Sequence, residues 1–162
     1  CMIGMKRLYA AGVLAFALAA CANGTAAPSS QVTRVVSTTS FGMCVGYCTT
    51  RLEITEGRAV LIQQARGGRG GPNLSPPDRR FEASLTAAEW LEIQRLAAQA
   101  DFVALPDVVG CPDCADGGAE GLTVESASAS ESVSLEYGAS LAQAQPLLDR
   151  VRALRLQLTP AE

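Results

Sequence analysis

Hydrophobic and polar positions along the chain change period several times, and each change predicts an element. Arg34 to Phe41 is rich in Val, Ser and Thr and reads as a first strand. Arg51 to Glu56 alternates, with Leu52 and Ile54 on one face and Glu53 and Thr55 on the other. Glu56-Gly57 offers a tight turn into Arg58–Gln63, where Val60 and Ile62 share a face, so the two segments form a β-hairpin. A short strand over Arg80–Leu85 follows. Thr86-Ala87-Ala88-Glu89 then has the spacing of a capping box, and the helix behind it runs to about Ala100. Its stripe is Trp90, Ile93, Ala97 and Ala100, which makes the lone Trp a core anchor. Phe102 and Leu105 continue the burial until Pro106. Val108 to Glu120 reads as a loop, and Gly121–Ala127 and Glu131–Tyr137 as strands, the second alternating through Val133, Leu135 and Tyr137. Gln145–Leu158 is an amphipathic helix with Pro146 in its first turn, Leu147, Val151, Leu154 and Leu158 inside, and Arg150, Arg152 and Arg155 as solvated charges. The expected architecture is a single α+β domain, an antiparallel sheet with two helices in the order ββββαββα.

The N-terminal segment has a different pattern. Lys6-Arg7 precede an uncharged stretch from Leu8 to Leu18, too short for the roughly 20 residues that span a bilayer but suited to a signal-peptide core. Leu18-Ala19-Ala20-Cys21 resembles a bacterial lipobox. The resemblance implies cleavage before Cys21, diacylglycerol on its sulfur and a further acyl chain such as palmitate on the new amine. Each buried methylene contributes about 0.8 kcal/mol, so several chains anchor stably where one does not. Ala22 after the cysteine resembles the outer-membrane sorting pattern of Gram-negative bacteria. The expected organisation is a lipoprotein signal peptide over 1–20, a flexible tether over 21–31 and the α+β domain over 32–162, held on the outer membrane facing the periplasm. Residues 65–77, dense in Gly, Pro and Arg, interrupt the domain as a solvated loop.

Composition removes whole classes of chemistry. There is no histidine, and Lys6 is the only lysine. Ser-His-Asp and Cys-His nucleophiles, imidazole zinc sites, Schiff-base lysines and the P-loop lysine are thereby excluded. Without Lys6 and Arg7, the 13 basic side chains fall to 11 arginines against 16 acidic groups, a net charge of −5. Such a domain is a poor nucleic-acid partner. Its partners are the membrane, through the lipid anchor, and another envelope protein.

Apart from Cys1 and Cys21, four cysteines remain: Cys44, Cys48, Cys111 and Cys114. An even number of thiols in an exported protein reads as disulfides, and four allow three connectivities. A bridge closing about five residues contributes roughly 2 kcal/mol and one closing about 65 roughly 4 kcal/mol, so links between the two pairs would stabilise more. Cys111-Pro112-Asp113-Cys114 also has thiol–disulfide oxidoreductase spacing, but Asp113, Asp116 and Glu120 surround it, and negative charge raises a thiol pKa. Exported thiols oxidise, which opposes a Cys₄ zinc site, and Asp113-x-x-Asp116-Gly-Gly-x-Glu120 fails the alternating EF-hand spacing. Neither a metal nor a cofactor is expected.

Ser40-Phe41-Gly42-Met43-Cys44-Val45-Gly46-Tyr47 resembles the signature Cys-Phe-Gly-x-Cys-Pro-x-Tyr of a family of small exported bacterial domains of unknown function. The match covers Phe41, Gly42, Cys44 and Tyr47, with a hairpin and a helix following in the same order. Ser40 replaces the family's first cysteine and Val45 its proline. The resemblance therefore implies that the family's local bridge does not form as such and that Cys48 is free for another partner. It brings no activity. The sequence thus reads as a non-enzymatic, lipid-anchored envelope protein whose stapled domain binds or supports another component. The alternative is a periplasmic thiol–disulfide oxidoreductase using Cys111 and Cys114.

Overall fold

The structure, a computed structural model, describes residues 31–66 and 75–161. Residues 1–20, the lipidation site Cys21, most of the tether and the middle of the 65–77 loop lie outside the described residues. The elements are β1 Val32–Ser40, β2 Gly46–Thr55, β3 Arg58–Arg66, β4 Arg79–Ser84, α1 Ala87–Gln99, β5 Val108–Val109, β6 Ala119–Ser126, β7 Ser130–Glu136 and α2 Gln145–Leu158. One seven-stranded sheet takes the order β4-β3-β2-β1-β6-β7-β5, antiparallel except where β5 runs parallel to β7. The fold is α+β, with strands, a helix, strands and a helix in succession.

Both helices pack on one face of the sheet. Val35, Leu52, Ile54, Leu61, Leu122, Val124, Val133 and Leu135 meet Trp90, Ile93, Leu96 and Ala97 of α1 and Leu147, Leu148, Val151 and Leu154 of α2. Trp90 is the expected core anchor. Glu89 N–H donates to the Thr86 hydroxyl while Glu89 accepts from the Thr86 N–H, completing the capping box. These hydrogen bonds from Thr86 hold the Glu89 carboxyl below its usual pKa. The opposite face is mainly polar, as an antiparallel sheet allows, with Val36 and Val60 buried among its side chains. Arg34 donates to Glu125 across β1 and β6 at 2.8 Å, and Arg51 donates to Glu53 at 2.7 Å.

The structure corrects several expectations. Val60 and Ile62 share a face as expected, and it is the face opposite the helices, because Leu52 pairs with Leu61 and Ile54 with Ala59. The segment 108–120 is not all loop. Asp107 O accepts from Ser134 N–H, and Val108–Val109 then add the edge strand β5. Glu120 already belongs to β6. Tyr137 lies beyond the end of β7 and is 46% exposed, so it does not continue the buried row of Val133 and Leu135. The three arginines of α2 are not solvated charges. Arg155 is buried, Arg152 is half-buried against Glu120, and Arg150 reaches Glu89 and Glu92 of α1. Asp149, Ala153 and Leu156 keep the outer face of α2 exposed, but the long arginine side chains flank the buried stripe and fold inward to find partners.

Candidate functional site

Tight connections gather at one end of the sheet, and both cysteine pairs gather at the other. β1 ends at Ser40, and Phe41 N–H donates to Cys48 O, closing a loop over 41–48. Cys44 and Cys48 lie at disulfide distance, with Cα atoms 5.5 Å apart. Gly46 has φ +96°, a conformation that costs glycine little. Cys48 is buried, whereas Met43 is 73% and Val45 84% exposed. The loop thus hides one sulfur and displays two apolar side chains on a short stapled arc.

The second loop lies between β5 and β6. Cys111 and Cys114 are again at disulfide distance, with Cα atoms 5.4 Å apart. A single 3₁₀ turn covers Cys114–Asp116. Asp113, Ala115 and Asp116 take φ values of 59°, 50° and 60°, left-handed conformations that cost side-chain-bearing residues about 1–3 kcal/mol each. Asp113 N–H donates to Gly118 O at 2.9 Å, and Cys111 N–H donates to Glu136 Oε2.

The two loops touch, although the cysteine pairs are more than sixty residues apart. Gly42 N–H donates to Asp113 Oδ1 at 3.1 Å. A Cβ at Gly42 would meet Asp113 Oδ2 at 2.7 Å, so the absence of a side chain permits the contact. The Phe41 ring covers Gly118, where a Cβ would fall 2.5 Å from a ring carbon, and packs edge-on against Tyr137 with centroids 4.9 Å apart. Arg66 Nη1 donates to Gly42 O at 2.7 Å. Tyr47 donates to Pro77 O, and the Arg79 guanidinium lies 4.0 Å from its ring centroid. Phe41, Gly42, Cys44 and Tyr47 therefore each brace this end of the sheet.

Beside the loops a charge cluster lies under α2. Glu120 points from β6 into the core face, and its side chain is fully buried. Arg152 donates to it through Nε and Nη2, and Arg155 through Nη2 at 2.8 Å. Arg155 Nη1 also donates to the Ser37 hydroxyl, and Arg152 Nη2 to Ala139 O. Burial pushes the Glu120 carboxyl up, but the hydrogen bonds from Arg152 and Arg155 outweigh it and hold it below the usual carboxylate range. The hydrogen bond to Glu120 raises Arg152 in turn.

The structure brings Cys44, Cys48, Cys111 and Cys114 to one end of the sheet as two local pairs. Cys48 is not free for a distant partner, and the longer cross-links do not form. Loop closure argues for the long links only if the folded backbone can supply them. Here each pair already meets across a turn of its own chain. Glu120, read as part of the acidic surroundings of Cys111 and Cys114, is instead neutralised in the core. Among the described residues, no group of three or more His, Cys, Asp or Glu side chains is placed to hold a metal ion. No helix among them is long and apolar enough to cross a membrane.

The Glu120 cluster is what sequence reasoning missed. Its signal was present: the alternation of Leu122 and Val124 carried back two residues lands on Glu120. Arg155 directly follows the buried Leu154, which places it on the flank of the stripe rather than opposite it. No family model matches the chain, and no curated protein matches it.

Proposed function

We propose that this protein is a lipid-anchored component of the cell envelope whose domain is a non-enzymatic binding module, engaging a partner protein with the end of the sheet that carries both disulfide loops. The observation behind this reading is the pairing of rigidity with exposed apolar side chains. Val45 stands out within the arc closed by Cys44–Cys48 and Met43 just before it, on a loop tied to the second one through Gly42 and Asp113. Exposed apolar side chains held rigidly cost little ordering entropy on binding, and that property distinguishes anchor residues of interfaces. The lipobox at Cys21 supplies the address, and the ten residues from Ala22 to Gln31 supply the reach.

The test is a photoreactive amino acid at Met43 or Val45, with Leu91 at the opposite end as control. Leu91 is also well exposed, at 61%. A discrete adduct from positions 43 and 45 that is absent from position 91 supports the reading. Equal or absent adducts at all three defeat it. The address has its own test, because fatty-acid labelling should mark the wild type but not Cys21→Ser.

A second reading, thiol–disulfide exchange, is favoured by the exposure of both Cys111 and Cys114. Against it, Cys111 precedes a single 3₁₀ turn rather than an α-helix, and its N–H faces the Glu136 carboxylate. Catalysed insulin reduction would favour exchange over binding.

A further inference from the structure

The charge cluster under α2 opens into a cavity of about 210 Å³ lined by Glu120, Tyr137, Gly138, Arg152, Arg155 and Leu156. Tyr137 is the residue that packs on Phe41, so this cavity adjoins the stapled loops. Its lining holds two guanidinium groups and one carboxylate, a net charge of +1 for the lining itself, while Asp149, one turn earlier on α2, also acts on Arg152. The hydrogen bonds of Arg152 run from Nε and Nη2, which leaves its Nη1 without a protein partner among the described residues. The walls are apolar and accessible, since Leu156 is 74% exposed and Tyr137 46%. Arg152, Arg155 and Leu156 share one face of α2 through their three- and four-residue spacing.

From this geometry we infer that the cavity is a receptor pocket for a carboxylate next to an apolar side chain, carried by an acidic-hydrophobic segment of the partner. The inference rests on the binding-module reading and names the partner chemistry at that face. A single carboxylate balances the single excess positive charge. A phosphate dianion would leave net negative charge beside the buried Glu120. Guanidinium groups already oriented by Glu120, Ser37 and Ala139 lose little freedom when a second anion arrives, and a planar guanidinium edge suits a carboxylate. The apolar neighbour of that carboxylate would lie between Tyr137 and Leu156, where it removes apolar surface from water.

The probe is N-acetylphenylalanine, compared with its uncharged amide, titrated into the full-length protein in detergent micelles and followed by the backbone amide resonances of Tyr137, Gly138 and Leu156. The acid should shift these resonances saturably, and the amide should bind about tenfold more weakly or worse, the effect of losing one charge-assisted hydrogen bond. Leu156→Glu, which alters an exposed position and adds a like charge at the rim, should weaken the acid about tenfold while the Leu122 amide stays protected from exchange. Equal binding of acid and amide would overturn the inference. So would no shift from either probe, or inorganic phosphate competing as well as the acid. The photo-adduct at Met43 separates the two levels. If it persists while the acid fails to bind, only the pocket is wrong; if it is also missing, the binding-module reading falls with it.

Discussion

Where β2 turns into β3, two residues suffice: Glu56 and Gly57 reverse the chain, with Gly57 at φ +78°, and Thr55 pairs directly with Arg58. The same end holds the capping box of α1, and Leu85 N–H donates to Gly57 O. At the other end of these strands the connections are long, three side-chain-bearing residues sit in left-handed backbone, and two cysteine pairs close the loops. The first end needs only local rules of turn and cap. The second is held by contacts between residues far apart in the chain, with a buried ion cluster beside it. Irregular backbone persists only where its surroundings over-determine it, and that is also where proteins place function.

The comparison breaks most sharply at Glu120. Glu120→Ala strands two guanidinium groups beside the core, and losing one partner of a buried pair costs about 3–5 kcal/mol, measurable as a lower urea midpoint. The sign of the pH dependence follows from the lowered carboxyl. Because Glu120 is held below its unfolded value, its stabilisation is complete above that value, near pH 4.5, and is lost as pH falls through the folded one. Glu120→Gln should therefore flatten the acid limb of the stability curve, and an unchanged limb would assign acid sensitivity to other carboxylates.

Reduction ranks next. Each bridge closes only a short loop, so reducing either should cost about 2 kcal/mol, with alkylation of the oxidised protein finding no free domain thiol. At the regular end, Thr86→Ala should cost about 1 kcal/mol, the usual worth of an N-cap hydroxyl, and leave the thiols equally protected. Smallest of all is the open face. Glu125→Ala removes a well-formed pair with Arg34, and Arg34 holds the Glu125 carboxyl low through that hydrogen bond. Both side chains remain solvated, so the urea midpoint should not move measurably.

The same contrast explains what was legible in the sequence. The capping box of α1, the Glu56-Gly57 turn and the limits of α2 follow from residues within a few positions of one another and stand as expected. The α1 stripe stands at Trp90, Ile93 and Ala97, with Leu96 buried beside them and Ala100 only partly buried past the helix end. β5 was invisible because two valines form a strand only when a neighbour, Ser134 of β7, offers an edge. The meeting of Gly42 with Asp113 depends on β1 and β6 being adjacent, which no local pattern states. The arginines of α2 looked solvated because charge on a helix flank has no sequence mark for a buried partner thirty residues away.

The central claim is that the two disulfide loops form one stapled unit. Amide hydrogen exchange at Gly42, compared between the wild type and the paired substitution Cys111→Ala and Cys114→Ala, tests it most directly. Gly42 N–H, which donates to Asp113, should exchange faster in the variant, while the capped Glu89 N–H at the opposite end keeps its protection. Unchanged exchange at Gly42 would mean that the two loops are independent of each other and not one unit.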